Sequence, residues 1–177
     1  HSPQADMLAG TNGFNYGRYI PSSAHVFVVE DTCAHCHMQP ITDTKNPAFL
    51  NAGGHTFKMG MKGDDKKPPE YMVDACYKCH GPNTSLFDFQ LMDYDGDGMI
   101  EGVQTEIQRL LDKLALQLPP VGKAKTALTI DSTWTRPQLA AAYNWQFVKN
   151  DGSFGIHNTA YAVGLLKASI ADLAANK

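Results

Sequence analysis

The sequence has no apolar run of the roughly 18 residues that a membrane-spanning helix requires, and this excludes a transmembrane helix. It has no surplus of positive charge: 15 Lys and Arg against 18 Asp and Glu leave a net charge of −3. That balance offers none of the basic surface that nucleic acid demands, so no nucleic-acid partner is expected. No signal peptide opens the chain, and His1 reads either as a processed N-terminus or as the start of a fragment. Cysteine is scarce, with four among 177 residues. What is present is an ordinary apolar share of 43%, together with 15 Gly and 10 Pro that imply much irregular chain. The length suits one domain, or one domain with an extension.

All four cysteines fall in two copies of one pattern, Cys33-Ala34-His35-Cys36-His37 and Cys76-Tyr77-Lys78-Cys79-His80. Cys-x-x-Cys-His is the attachment sequence for c-type haem. Two thiols add to the two vinyl groups of the porphyrin, and the adjacent His reaches the iron from the same face. Paired Cys-x-x-Cys segments can also build a four-cysteine zinc site, and one such segment can act as a redox pair. Neither needs a His after the second Cys, yet both copies have one. The cofactors expected are therefore two haem c groups. A porphyrin is a large flat apolar body that loops can wrap, which suits the Gly and Pro content. Attachment of this kind takes place outside the bacterial cytoplasmic membrane, so an exported, periplasmic or extracellular protein is expected.

The expected fold is mainly α with extensive irregular loops, arranged as a single domain over 1–177. Residues 26–29 form a strand-like apolar run. Residues 31–90 carry the haem-attachment region, including a solvated Asp-Asp-Lys-Lys-Pro-Pro loop at 64–69. Residues 91–118 hold an acidic loop and then a helix, in which Ile107, Leu110, Leu111, Leu114 and Leu118 recur at helical spacing. Pro119 and Pro120 stop it. Residues 137–177 read as a helical hairpin: Pro137 fits a first turn, Asn150-Asp151-Gly152 breaks that helix near Lys149, and Asn158 caps the last one. Helices joined by so short a loop should pair antiparallel.

His37 and His80 are the proximal iron ligands of this reading. The sixth position decides function: a second strong protein ligand suits electron transfer, and an open position invites substrate. Five other histidines remain, His1, His25, His35, His55 and His157. His35 lies between paired cysteines and reads as a surface residue. His157 follows Phe154-Gly155-Ile156, where apolar neighbours and a flexible Gly suit a ring inserted beside a haem. His25 closely precedes the first motif, and His55 stands between the motifs. Met59 and Met61 are weaker candidates, since Met more often fills gaps around a haem. Two distal ligands are needed and four His are plausibly placed. The surplus is either ordinary surface His or ligands for haems of another chain.

The stretch from Asp93 to Gln104 follows most of an EF-hand loop. Asp93, Asp95 and Asp97 occupy positions 1, 3 and 5, a Gly stands at 6, and Met99 would offer its carbonyl at 7. Gln104 stands at position 12 instead of the bidentate Glu, so a weakened structural calcium site is expected.

The order of these elements resembles the C-terminal part of pentahaem cytochrome c nitrite reductases and related multihaem cytochromes c. It is carried by Ala24-His25, Cys33 to Met38, Gly54-His55, Cys76 to His80 and Gly155-Ile156-His157, covering about residues 20–90 and 140–177. The resemblance implies cross-ligation. His157 would be distal to the haem on Cys33 and Cys36, and His25 to the haem on Cys76 and Cys79. His55 matches a residue that ligates an upstream haem in that family. The upstream part, with its lysine-ligated catalytic haem, has no counterpart here. Electron transfer by two bis-His haems is the expected function, with a nitrite- or hydroxylamine-type oxidoreductase as the alternative. Expected partners are other redox proteins, or copies of the chain itself in a haem chain or filament.

Overall fold

The computed structural model describes residues 2–65, 69–82 and 84–176. Among them the helices are α1 (Gln4–Ala9), α2 (His25–Val28), α3 (Cys33–His37), α4 (Tyr77–His80), α5 (Val103–Gln117), α6 (Arg136–Asp151) and α7 (Thr159–Ala175). Single 3₁₀ turns occupy Gly54–Thr56 and Asp74–Cys76. Two short strands, β1 (Gly60–Met61) and β2 (Glu70–Tyr71), pair antiparallel with Gly60 opposite Tyr71 and Met61 opposite Glu70. The fold is mainly helical, 43% helix and 4% strand. No helix among the described residues is long and apolar enough to cross a membrane. His1 and, within the 64–69 loop, Lys66 to Pro68 lie outside the described residues.

The chain, expected as one domain, is laid out as two compact units. The first comprises the described residues of 1–26 and 88–177, and the second 27–87. The first is built on α5, α6 and α7, with α7 packed against both of the others. The 3.6-residue period of α5 turns Val103, Ile107, Leu110 and Leu114 inward, where all are buried. Trp145 of α6 closes on α5 through its indole Nε1, which donates to the Leu111 carbonyl at 3.0 Å.

The helix ends are set by local chemistry. Thr135 caps α6 in a reciprocal box: Gln138 N donates to Thr135 Oγ1, and Thr135 N donates to Gln138 Oε1 at 2.9 Å. The helix runs past Lys149 to Asp151 and stops at Gly152. Asn158 caps α7, its Oδ1 accepting from Tyr161 N at 3.1 Å. The apolar run at 26–29 is not a strand: His25–Val28 forms a helical turn. So short a run makes a strand only where a neighbouring edge completes its hydrogen bonds, and here β1 and β2 pair with each other.

Two buried asparagines fasten the N-terminal segment to the helices of this unit. Asn144 Oδ1 accepts from Phe14 N, and Asn144 Nδ2 donates to the Phe14 carbonyl, both at 2.8 Å. The same amide donates to Ser169 Oγ on α7 at 3.0 Å. Asn158 accepts from Ser23 N at 2.7 Å and donates to Ser22 Oγ at 2.6 Å. Asn144→Ala would remove both bonds to the Phe14 backbone and the buried bond to Ser169 Oγ. It should destabilise the protein by about 2–3 kcal/mol, read by denaturant titration; a loss below about 0.5 kcal/mol would show that this tie carries no weight.

Candidate functional site

Both Cys-x-x-Cys-His segments are folded as helical turns. The first is α3 itself, and the second runs from the 3₁₀ turn Asp74–Cys76 into α4. Side chains three and four residues apart share one face of a helix. Each pair of cysteines and the following histidine therefore stand on one side of their turn. The four thiols are free, with Cys33 and Cys79 exposed and Cys36 and Cys76 half-buried. Burial raises the pKa of the Cys36 thiol and pushes that of Cys76 up to about 11, with the neighbouring Cys36 adding to the second shift. The two motifs are thus neighbours, and α3 packs on the Asp74–Cys76 turn. Burial does not favour the thiolate at these two positions. Nor do the four sulfurs gather: among the described residues, the one group of three or more ligand side chains whose atoms converge is Asp93, Asp95 and Glu106.

The histidines are held in distinct ways. His37 Nδ1 lies 2.8 Å from the Phe57 carbonyl oxygen, and its ring stacks on Phe57 at 4.5 Å between centroids. Gly53 makes this possible. Its φ is +67°, and a Cβ there would sit 2.2 Å from the Gln39 carbonyl, so only glycine lets the 53–57 loop close on the chain leaving α3. His80 stands exposed at the end of α4, and His55 is exposed in the Gly54–Thr56 turn. His35, expected on the surface, is half-buried, because its helical turn packs on the Asp74–Cys76 turn. Met59 and Met61 pack against the small cluster of Ala48, Ala52 and Met72, as gap-filling methionines do.

In the first unit, His25 and His157 come together around one loop. His25 Nδ1 lies 2.8 Å from the Ile156 carbonyl. His157 Nδ1 lies 2.6 Å from Oδ1 of Asp151, whose side chain is 1% exposed. Oδ2 of Asp151 accepts the Ser153 hydroxyl, and Ser153 Oγ accepts from His157 N at 3.2 Å. Gly155, with φ +94°, lets this loop lie on α5, since a Cβ there would meet Ile107 Cδ1 at 2.3 Å. A ring fixed through Nδ1 by a carbonyl or carboxylate is the arrangement that metal-ligating histidines use to present Nε2. Asp151 was not legible as a site residue, because its role depends on how the loop after α6 folds back.

The acidic loop is arranged differently from the EF-hand order. Asp93 accepts from the Gly96, Asp97 and Gly98 amides, and the Gly98 amide leads in holding its carboxyl below the usual range. Asp97 is turned to Arg109, which also pairs with Glu101. Gln104 Nε2 donates to the Ser153 carbonyl at 3.0 Å, and Met99 N donates to Asp97 Oδ1. The side chain that joins Asp93 and Asp95 is Glu106. A signal for it existed: Glu106 is an acid within the apolar stripe of α5, three residues after Val103 and four before Leu110.

No family model, curated protein or solved structure matches the chain. The site therefore rests on its own chemistry. Asp151→Ala would leave the Ser153 hydroxyl and the His157 ring without their acceptor. It should cost about 1–3 kcal/mol in denaturant titrations, and full retention of stability would show that the contact does not hold the loop.

Proposed function

We propose that this protein transfers electrons through two haem c groups attached at Cys33/Cys36 and Cys76/Cys79. The observation that carries the reading is the pair of helical turns that put two thiols and one imidazole on a single face, twice. The thiols are unpaired, as addition to vinyl groups requires: each S–H adds across a double bond, giving an uncharged thioether with no net redox change. Haem held there would supply one-electron chemistry, its iron alternating between the ferric and ferrous states.

The surroundings fit a porphyrin. Residues 27–87 have a small buried cluster of Ala48, Ala52 and Met72, while Phe27, Val28, Leu50, Phe57 and Tyr71 are exposed, Phe27 by 80% and Leu50 by 78%. A segment of this size gains little from its own core and depends on staples or bound groups. Apolar side chains of this kind would cover a porphyrin face and keep water from it. His37 and His80 serve as proximal ligands. His25 and His157 are proposed as the distal pair, on the resemblance to multihaem cytochromes c and on their Nδ1 contacts. Nitrogen donors on both sides stabilise the ferric iron, so low reduction potentials follow. The packing of α3 on the Asp74–Cys76 turn brings the attachment segments together, which suits exchange between two haems of one chain. The protein would work as an exported electron carrier or conduit, with other redox proteins or further copies of itself as partners. His55 and His1 are the candidates for ligands shared between copies.

Electron paramagnetic resonance of the oxidised protein should show low-spin ferric haem alone. His157→Ala should turn one haem high-spin and leave the other unchanged. A stoichiometric high-spin signal in the parent, or nitrite turnover at enzymatic rates, would contradict the electron-transfer reading. Persistence of the fully low-spin spectrum in the variant would remove His157 from the ligand set.

A further inference from the structure

We propose that Asp93, Asp95 and Glu106 form a calcium site that clamps the 93–101 loop onto the first turns of α5. One carboxylate oxygen from each of the three lies within 4.8 Å of the others. Two of these groups are buried: the Asp95 side chain is 1% exposed, and Glu106 likewise 1%. Carboxylates taken out of water cost several kcal/mol each unless a cation or hydrogen bonds compensate them.

The compensation present is incomplete. Glu106 Oε2 accepts from the Tyr94 and Asp95 amides at 3.0 and 2.9 Å, and Oε1 accepts from Glu101 N at 3.0 Å. Asp95 Oδ1 accepts from Asp97 N at 2.9 Å, and Lys113 Nζ reaches the same oxygen at 3.2 Å but is 43% exposed, so its solvated ammonium compensates weakly. Oδ2 of Asp95 is buried with no hydrogen-bond partner. A buried carboxylate oxygen left unpaired, beside two further carboxylates, calls for a positive charge of small radius. Five acids (Asp93, Asp95, Asp97, Glu101 and Glu106) stand in this region against two cations, Arg109 and Lys113. Arg109 is committed to Asp97 and Glu101 at the edge, which leaves the converging three for an ion.

An all-oxygen, all-carboxylate set selects a hard divalent cation. Calcium is favoured over magnesium because it tolerates irregular carboxylate geometry, whereas magnesium demands a near-ideal octahedron and gives up its water reluctantly. The ion would join residues 93 and 95 of the loop to residue 106 of the helix, in place of the closing contact that an EF-hand takes from position 12. This site is independent of the haem reading, and its test uses the full chain whatever haem it carries.

The test is calorimetric titration of calcium chloride into the chelator-treated full chain as purified, with bound calcium counted by equilibrium dialysis. One ion per chain is expected, with a dissociation constant in the range of roughly 10⁻⁵–10⁻³ M and weaker binding of magnesium. Glu106→Gln and, separately, Asp95→Asn should each weaken binding by about tenfold or more, while Gln104→Ala should leave it unchanged. Circular dichroism verifies that each variant is folded, and loss of one variant to misfolding leaves the other to decide. Absence of calcium binding to the parent at millimolar concentration would overturn the proposal. So would a Gln104→Ala variant that loses binding while Glu106→Gln keeps it.

Discussion

Three imidazoles among the described residues, those of His25, His37 and His157, are tied down through Nδ1. His37 Nδ1 meets the Phe57 carbonyl, His25 Nδ1 meets the Ile156 carbonyl, and His157 Nδ1 meets the Asp151 carboxylate. An imidazole has two nitrogens, and fixing one settles both the orientation of the ring and the atom it offers a metal. The backbone serves this end at some cost. Gly53 and Gly155 take left-handed conformations where a Cβ would collide with the Gln39 carbonyl or with Ile107. The loops carrying Phe57 and His157 therefore have their paths set by close approach. In the proposed account, these small constraints decide which atoms can reach iron.

The two units are sustained by different means. The one built on α5, α6 and α7 has a continuous apolar core, and its buried asparagines are bonded to the N-terminal segment. Its buried carboxylates, Asp151 and Glu106, bond to the loops beside them. Residues 27–87 have short helices, two-residue strands and a three-residue buried cluster, with large apolar side chains facing outward. Phe27 and Leu50 are among the most exposed of them. On the proposed reading, a covalently held porphyrin adds apolar bulk to this unit, and two thioethers anchor it.

What could be read from the sequence was local. The α5 helix follows from its apolar period, the start of α6 from Pro137, its end from Gly152, the start of α7 from Asn158, and the two Cys-x-x-Cys-His segments from five-residue patterns. The 26–29 run was misread because four apolar residues carry no period, and the choice between strand and helix falls to the neighbours. Gln104 was expected to close the acidic loop because a loop template counts residues. The α5 helix instead rotates Glu106 inward and sends Gln104 to Ser153. Asp151 escaped notice because a partner six residues before His157 is found only once the intervening loop has turned. The proposed distal ligands belong to the same class, since a second axial partner is a matter of tertiary structure and not of spacing.

Covalent attachment is the claim on which the whole functional account rests, and intact-mass spectrometry of the purified protein in denaturant addresses it. Thioethers survive denaturation, whereas bound zinc and non-covalent haem do not. The account predicts a chain heavier than its sequence by two haem groups, with no cysteine left for a thiol-alkylating reagent. A chain at the bare sequence mass with four alkylatable thiols would contradict it.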